Sequence, residues 1–386
     1  MKSFLDKIDP SLYNLTKSQS TRNNEFDCIV YYNSLTNIKN YINYTNCCKV
    51  VNEYPFINAL GVKISSENID NFARHKNLNY ITSVAKVQTQ VNVSKKVSNI
   101  DALYKQGLSG KNVTVAIIDT GISPHLDFVY PTNRILAFKD FKSSKKYPYD
   151  DNGHGTFIAS VLCGNGMISG GEYSGIAPNS NIISLKALDE KGETGALTIL
   201  EAMQWVFDNK EKYNIKIVCM SFGSNPLGSS DPLKLGAETL WDNGIMVIAA
   251  AGNSGPNAST IKSPGISSKI ITVGALDDGR EDFENIDRQN FSVADFSSRG
   301  PAYRFYKPDI IASGVGIVGA SNGLDSRYTK MSGTSVATPI VAGVCALFLE
   351  KYNNATPSQI KGLLLNNAIP LTRNRNLEGY GYLYIK

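Results

Sequence analysis

The sequence contains no run of the ~18 uninterrupted apolar residues that a membrane-spanning helix needs. Its opening residues, Met1-Lys2-Ser3-Phe4-Leu5-Asp6-Lys7-Ile8-Asp9-Pro10, place acids and a proline where a secretory signal carries an apolar stretch of roughly 7–15 residues. These two absences predict a cytoplasmic protein without a membrane partner. Cysteine is sparse and unpatterned: Cys28, Cys47, Cys48, Cys163, Cys219 and Cys345 show neither CxxC spacing nor a partnering histidine, so nothing points to zinc. Reduced structural thiols are expected, with Cys219 and Cys345 packing as small hydrophobes in apolar runs. Excess charge is small, +5, and its lysines are scattered, as in Lys95-Lys96 and Lys145-Lys146, which argues against a nucleic-acid partner. Histidine is scarce too: His75, His125 and His154 are the only candidates for imidazole chemistry.

What is present is an ordinary globular composition, 42% hydrophobic and 19% charged. A chain of 386 residues exceeds the ~250–300 at which single cores stop growing, so one large and one small domain are expected. Before residue 90 the only glycine is Gly61; beyond it glycine is frequent. Residues 1–25 are polar and read as a loose extension. Residues 26–90 read as strand Cys28–Tyr32, helix Asn37–Tyr44, two strands between Lys49 and Ile64 turning around Asn52-Glu53-Tyr54-Pro55, helix Ser66–His75 and strand Tyr80–Val84. That β-α-β-β-α-β order is the split βαβ pattern of a small α+β ferredoxin-like module. In residues 91–386, the runs 113–118, 182–186, 215–220, 245–249 and 270–273 are apolar nearly throughout and alternate with helices such as Leu197–Asn209 and Leu233–Asn243. Strands apolar on both faces predict an α/β fold, a doubly wound and mostly parallel sheet with helices on both sides, whose reactive groups gather at the strands' carboxyl ends.

Four residues carry the chemistry. Asp119 ends the strand 113–118, His154 opens an apolar helix between Gly153 and Gly155, and Ser335 stands at the start of a strongly apolar helix in Met331-Ser-Gly-Thr-Ser335-Val-Ala-Thr-Pro339. Alone, each reads as a cap or a turn residue. Pro339 is compatible with a helix's first turn. Together they are the parts of an activated nucleophile: a hydroxyl, a histidine to take its proton and a carboxylate to orient the histidine. Asn253, after the strand 245–249, adds an amide able to donate to an oxyanion.

Ile118-Asp119-Thr-Gly, Asn152-Gly-His154-Gly-Thr156, Ala250-Ala-Gly-Asn253 and Gly333-Thr-Ser335-Val-Ala-Thr-Pro339 resemble, in this order, the active-site motifs of the subtilisin family, from about Gln90 to Leu365. The resemblance implies a serine endopeptidase with a protein or peptide substrate, made as a self-processing zymogen whose residues 26–90 act as an inhibitory prodomain. It implies that Ser221, Phe222 and Gly223 face Ala250, Ala251 and Gly252 across the first specificity pocket, with Lys262 at its floor. It also implies that Gly192, Glu193 and Thr194 form an edge strand pairing with an extended substrate. A lysine floor favours Glu or Gln before the cut bond. Matching the strand Tyr80–Ala85 to the family pattern puts processing between Gln90 and Val91, with Val87 in the fourth subsite; matching backward from Asp119 makes Gln88 the second choice. The segment 164–178 resembles the intracellular-type branch. A dedicated processing protease of the spore-germination kind and a catalytically silent scaffold remain open.

The chain departs from the family pattern in three places. Val336 stands where a methionine is usual, removing a site of oxidation. Ser313 replaces a proline, and nothing in the sequence says to what effect. Asp127 matches a calcium ligand, but the loop that supplies the other ligands is rearranged into the Gly-rich 164–171 segment. No cofactor is required, and the metal assignment is left open.

Overall fold

The computed structural model describes residues 4–386 apart from 10–11, 14–15, 17–24, 56–57, 84–89, 144, 229, 280–285 and 324–326, and apart from the side chains of 83 and 90–93. The chain divides into two compact units, Met1–Gln88 and Thr89–Lys386.

The small unit runs β1 (Glu25–Tyr32), α1 (Leu35–Thr45), β2 (Cys48–Tyr54), β3 (Ala59–Ser65), α2 (Ser66–Ala73) and β4 (Leu78–Ser83). Its sheet has the order β2-β3-β1-β4, antiparallel throughout, as expected for a split βαβ module. Ser34 caps α1 by accepting from the Asn37 N–H, and Ile38 and Ile42, four apart, turn one face of α1 inward. Ile69 and Phe72 of α2 complete a core with Val30, Val62, Ile64 and Ile81.

Two expectations need correction here. The hairpin does not turn at Asn52–Pro55: β2 continues to Tyr54, and Asn52 pairs with Gly61 and Tyr54 with Ala59. Asn52 and Glu53 are exposed on an edge strand, where polar residues cost little, and Pro55, lacking an N–H, ends the strand instead. Gly61 serves this pairing, because a Cβ there would lie 3.2 Å from the Tyr54 ring. Nor is the stretch 1–25 merely a loose extension. Ile8 and Leu12 are buried in the small core, and the Asp9 N–H donates to the Ile81 carbonyl at 2.9 Å. Two apolar side chains four apart anchor an otherwise polar segment.

The large unit begins with α3 (Gln90–Val97). The bond expected to be processed, Gln90–Val91, thus lies in the backbone of that helix's first turn, while Val87 and Gln88 lie outside the described residues. The strands that follow are β5 (Thr114–Asp119), β6 (Ile135–Asp140), β7 (Asn181–Lys186), β8 (Ile215–Met220), β9 (Met246–Ala250), β10 (Ile271–Asp277), β11 (Ser292–Val293) and β12 (Ile310–Ser313). Among the described residues they form one sheet, ordered β6-β7-β5-β8-β9-β10-β11, with β12 also on β10; every pairing is parallel except β10 with β11. Helices α4 (His154–Cys163) and α7 (Thr334–Lys351) pack together on one face, and α5 (Ala196–Tyr213) and α6 (Pro232–Asp242) pack together on the other.

By length and composition α7 qualifies as a membrane span, yet 83% of it is buried inside this core. The first strand, β5, sits mid-sheet; the chain crosses to the edge strand β6, returns through β7 beside β5, then crosses to β8 on the other side and winds outward to β10. That reversal opens a crevice at the carboxyl ends of β5 and β8, where Asp119 and Ser221 stand.

Candidate active site

Asp119 is the last residue of an entirely buried strand and is itself 1% exposed. Its Oδ1 accepts from the Thr120 N–H at 2.7 Å and meets His154 Nδ1 at 2.7 Å. A carboxylate can only accept, so Nδ1 carries the proton and Nε2 is left with its lone pair free. Helix α4 comes this close because residue 155 is glycine: a Cβ there would stand 2.2 Å from the Gly121 carbonyl oxygen and 3.2 Å from Asp119 Cβ.

Burial alone would lower the pKa of His154. The Asp119 carboxylate, as charge and as acceptor, and Asp150 behind it outweigh that effect and hold the pKa above its ordinary value. The base that the resemblance makes of His154 works only when neutral, so peptide hydrolysis is expected to rise with pH through a limb whose midpoint, in kcat/KM, lies above pH 6.5. A pH profile of kcat/KM measures it, and a midpoint at or below 6.5 would contradict the pairing.

The residues that hold this pair in place are ones sequence reasoning passed over. Asp150 takes five donors: through Oδ1 the Thr120 hydroxyl and the N–H groups of Asn152 and Gly153, and through Oδ2 the N–H and hydroxyl of Thr156. It thereby satisfies the first turn of α4, whose N-cap Gly153 has no side chain to do so. The available signal was an acid in the turn ahead of a helix. Lys186 is 1% exposed at the end of β7, and its Nζ donates to Thr120 O, Leu188 O and Asp151 Oδ1 at 2.7, 3.0 and 2.6 Å. It ties the end of β5 to the loop carrying His154.

Ser335 is the second residue of α7. Gly333 leaves room for its hydroxyl, since a Cβ at 333 would lie 2.9 Å from Ser335 Oγ and 3.4 Å from Asn253 Nδ2. Pro339 stands six residues into α7, beyond the first turn where the sequence alone had placed it. Lacking an N–H, it leaves the Ser335 carbonyl without its helical donor, and the Ser221 hydroxyl takes that place at 2.9 Å. The helix that carries Ser335 is thus bonded to the carboxyl end of β8.

The Asn253 amide is oriented just as firmly. Its Oδ1 accepts from both the N–H and the hydroxyl of Thr334, each at 2.9 Å, while Thr334 Oγ1 also takes the Gly252 N–H at 3.1 Å. With the oxygen so held, Nδ2 faces the cavity beside Ser335.

His154, Asn253 and Ser335 line one cavity of about 480 Å³ together with Ser221, Phe222, Gly223, Ala250, Gly252 and Lys262. Ala251 is fully buried behind this wall. Gly192, Glu193 and Thr194 line a second cavity of about 360 Å³ with Leu188, Ile199, Phe222 and Leu233. These three residues are not part of a strand of the sheet, and Glu193 turns its backbone toward Asp189. Its N–H donates to Asp189 Oδ1 at 2.9 Å and its carbonyl accepts the Asp189 N–H at 3.1 Å, a local turn that uses both backbone groups.

The calcium site expected from the family does not fit at Asp127. That carboxylate accepts from the Ile168 N–H at 3.1 Å and the Tyr328 hydroxyl at 2.8 Å, donors where a cation would need further oxygens. Among the described residues no group of three or more His, Cys, Asp or Glu could hold a metal ion.

The Subtilase family matches residues 110–382. The chain is 38% identical over 358 residues to the serine protease AprX of Bacillus subtilis strain 168, covering 85% of this chain and 75% of that one. It is 30% identical over 337 residues to a thermostable alkaline protease of Halalkalibacterium halodurans, covering 87% and 84%. Among solved structures, sphericase superposes with a TM-score of 0.65 at 25% identity, over 78% of this chain and all of its own (100%). A buried carboxylate on a histidine, a serine and an amide in one cavity, and a family match spanning most of the large unit lead to one conclusion: the chain is a serine endopeptidase and belongs to the subtilase family.

Proposed function

We propose that the chain hydrolyses peptide bonds through Ser335, His154 and Asp119. Ser335 Oγ attacks the carbonyl carbon while His154 Nε2 takes its proton, and Asp119 steadies the imidazolium that results. The carbonyl oxygen, now negative, is held by Asn253 Nδ2 and the Ser335 N–H at the start of α7. His154 then hands the proton to the leaving amine, and a water repeats the sequence to release the acyl group. No cofactor enters this scheme. The observation that carries it is the 2.7 Å Asp119–His154 bond in a cavity shared with Ser335 and an amide locked by Thr334.

The reading extends to a zymogen in which residues 26–90 inhibit the large unit and are cut from it at Gln90–Val91. Support comes from the split βαβ module preceding the family match and from the division of the chain at Gln88–Thr89. Six free thiols suit the cytoplasmic setting and intracellular-type branch proposed with it. A fluorophosphonate probe tests the core of the proposal: labelling at Ser335 and cleavage of a peptide library are both expected in the wild type and both lost in Ser335→Ala.

The amide has its own expected result. Asn253→Ala is predicted to lower kcat by about 10²–10³ with little change in KM, since the donor acts on charge that develops only in the transition state. That magnitude is carried over from subtilisin, a member of the same family. A wild-type kcat in Asn253→Ala would remove the residue from the site.

A further inference from the structure

The cavity that holds Ser335 is lined by Lys191 and Lys262 and, among the described residues, by no carboxylate. The stem of Lys262 is held against it. A Cβ on Gly223 would stand 2.6 Å from Lys262 Cβ, and a Cβ on Gly252 would stand 2.4 Å from Lys262 Cγ. The lysine stem therefore lies wedged between the two walls, in space that only paired glycines leave open.

Its Nζ ends on Asn225 Oδ1 at 2.6 Å. That acceptor is neutral, and an ammonium has three protons to donate, so two remain for water or for a ligand. Among the described residues no carboxylate stands within ion-pair distance of it.

We propose that Lys262, held in place by Asn225, makes this pocket selective for a carboxylate side chain, so that the enzyme cuts after Glu and, more weakly, after Gln. The inference rests on the catalytic reading above and names its substrate class. A side chain entering the pocket displaces the water on the ammonium. An apolar one leaves those donors unpaired, whereas a Glu carboxylate replaces the water with a charge-assisted bond. The pocket thus selects by attraction and by exclusion at once. Lys191 lines the same cavity and adds a second positive charge to it.

Asn225 is a positioning residue. Itself exposed, it fixes the ammonium at the solvent-facing end of the wedged stem, where a long flexible side chain would otherwise wander.

The test is kcat/KM on peptides identical except for the residue before the cut bond, using the full chain. Wild type is expected to favour Glu over Leu by roughly 10–100-fold, the range of a hydrogen bond to a charged group. The ratio should shrink as salt rises, fall to near or below one in Lys262→Met, fall part of the way in Asn225→Ala, and invert toward Lys and Arg in Lys262→Glu. A wild type that prefers Leu, or a ratio unchanged in Lys262→Met, overturns the proposal while leaving the catalytic reading intact. Absence of cleavage of every peptide, with Ser335 unlabelled by the probe, overturns both.

Discussion

Ser335→Ala is expected to fold normally and to keep the full 42.1 kDa mass, while wild type purified alongside it loses its first unit and begins at Val91. The variant should fold because the substitution removes one hydroxyl and leaves the bonds that seat α7 untouched: Ser221 to the Ser335 carbonyl, and Thr334 to Asn253. It should not mature because, in the proposed zymogen, the serine that acts on substrates also cuts the chain. In subtilisin, whose magnitudes are carried over here, loss of the serine costs about 10⁶ in kcat and leaves roughly 10³–10⁴ over water, far too little for prompt processing. Intact mass and N-terminal sequencing decide the matter. A Ser335→Ala protein that matures alone at the wild-type rate would show that another group does the cutting.

Asp119→Asn is expected to lower kcat by about four orders of magnitude with KM nearly unchanged. The amide matches the carboxylate in shape and can still accept from the Thr120 N–H, so the buried site survives. What it lacks is the charge that stabilises an imidazolium. Its NH₂ group can also turn toward Nδ1, which pushes the histidine proton to Nε2, where it blocks the lone pair that Ser335 needs. The same variant removes the main influence holding the His154 pKa up, so any residual activity should show its acid limb at lower pH than wild type. A variant within tenfold of wild type would exclude the Asp119–His154 pairing from the mechanism.

The four motif residues were legible in the sequence because each sits in a short, glycine-bounded stretch whose chemistry is local. Asp119 follows a run apolar on both faces, and its bounds differ from the observed β5 by a single residue. The supporting residues were not legible for the opposite reason. Asp150 lies in a turn of polar residues, and nothing in sequence says that Thr120, 30 positions away, will share its oxygen. Pro339 looked like a helix-start proline, but its effect is to free a carbonyl for Ser221, 114 residues distant from Ser335 in the chain. Asp189, whose side chain accepts the Glu193 N–H, shapes the Gly192–Thr194 segment through a bond that no pattern of residue types announces. Ile8 and Leu12 were lost in a polar stretch for want of a longer repeat.

By itself, then, the sequence determined the order of elements, the parallel sheet and the groups proposed to react, because periodicity and motif spacing act over a few residues at a time. Tertiary structure alone decided which oxygen orients each group, that Asp127 faces donors where a cation would need oxygens, and that Lys262 runs between Gly223 and Gly252 to meet Asn225. Those outcomes depend on atoms that meet only once β5, β8 and α7 converge on one crevice, and no local pattern encodes a distance between residues so far apart in the chain.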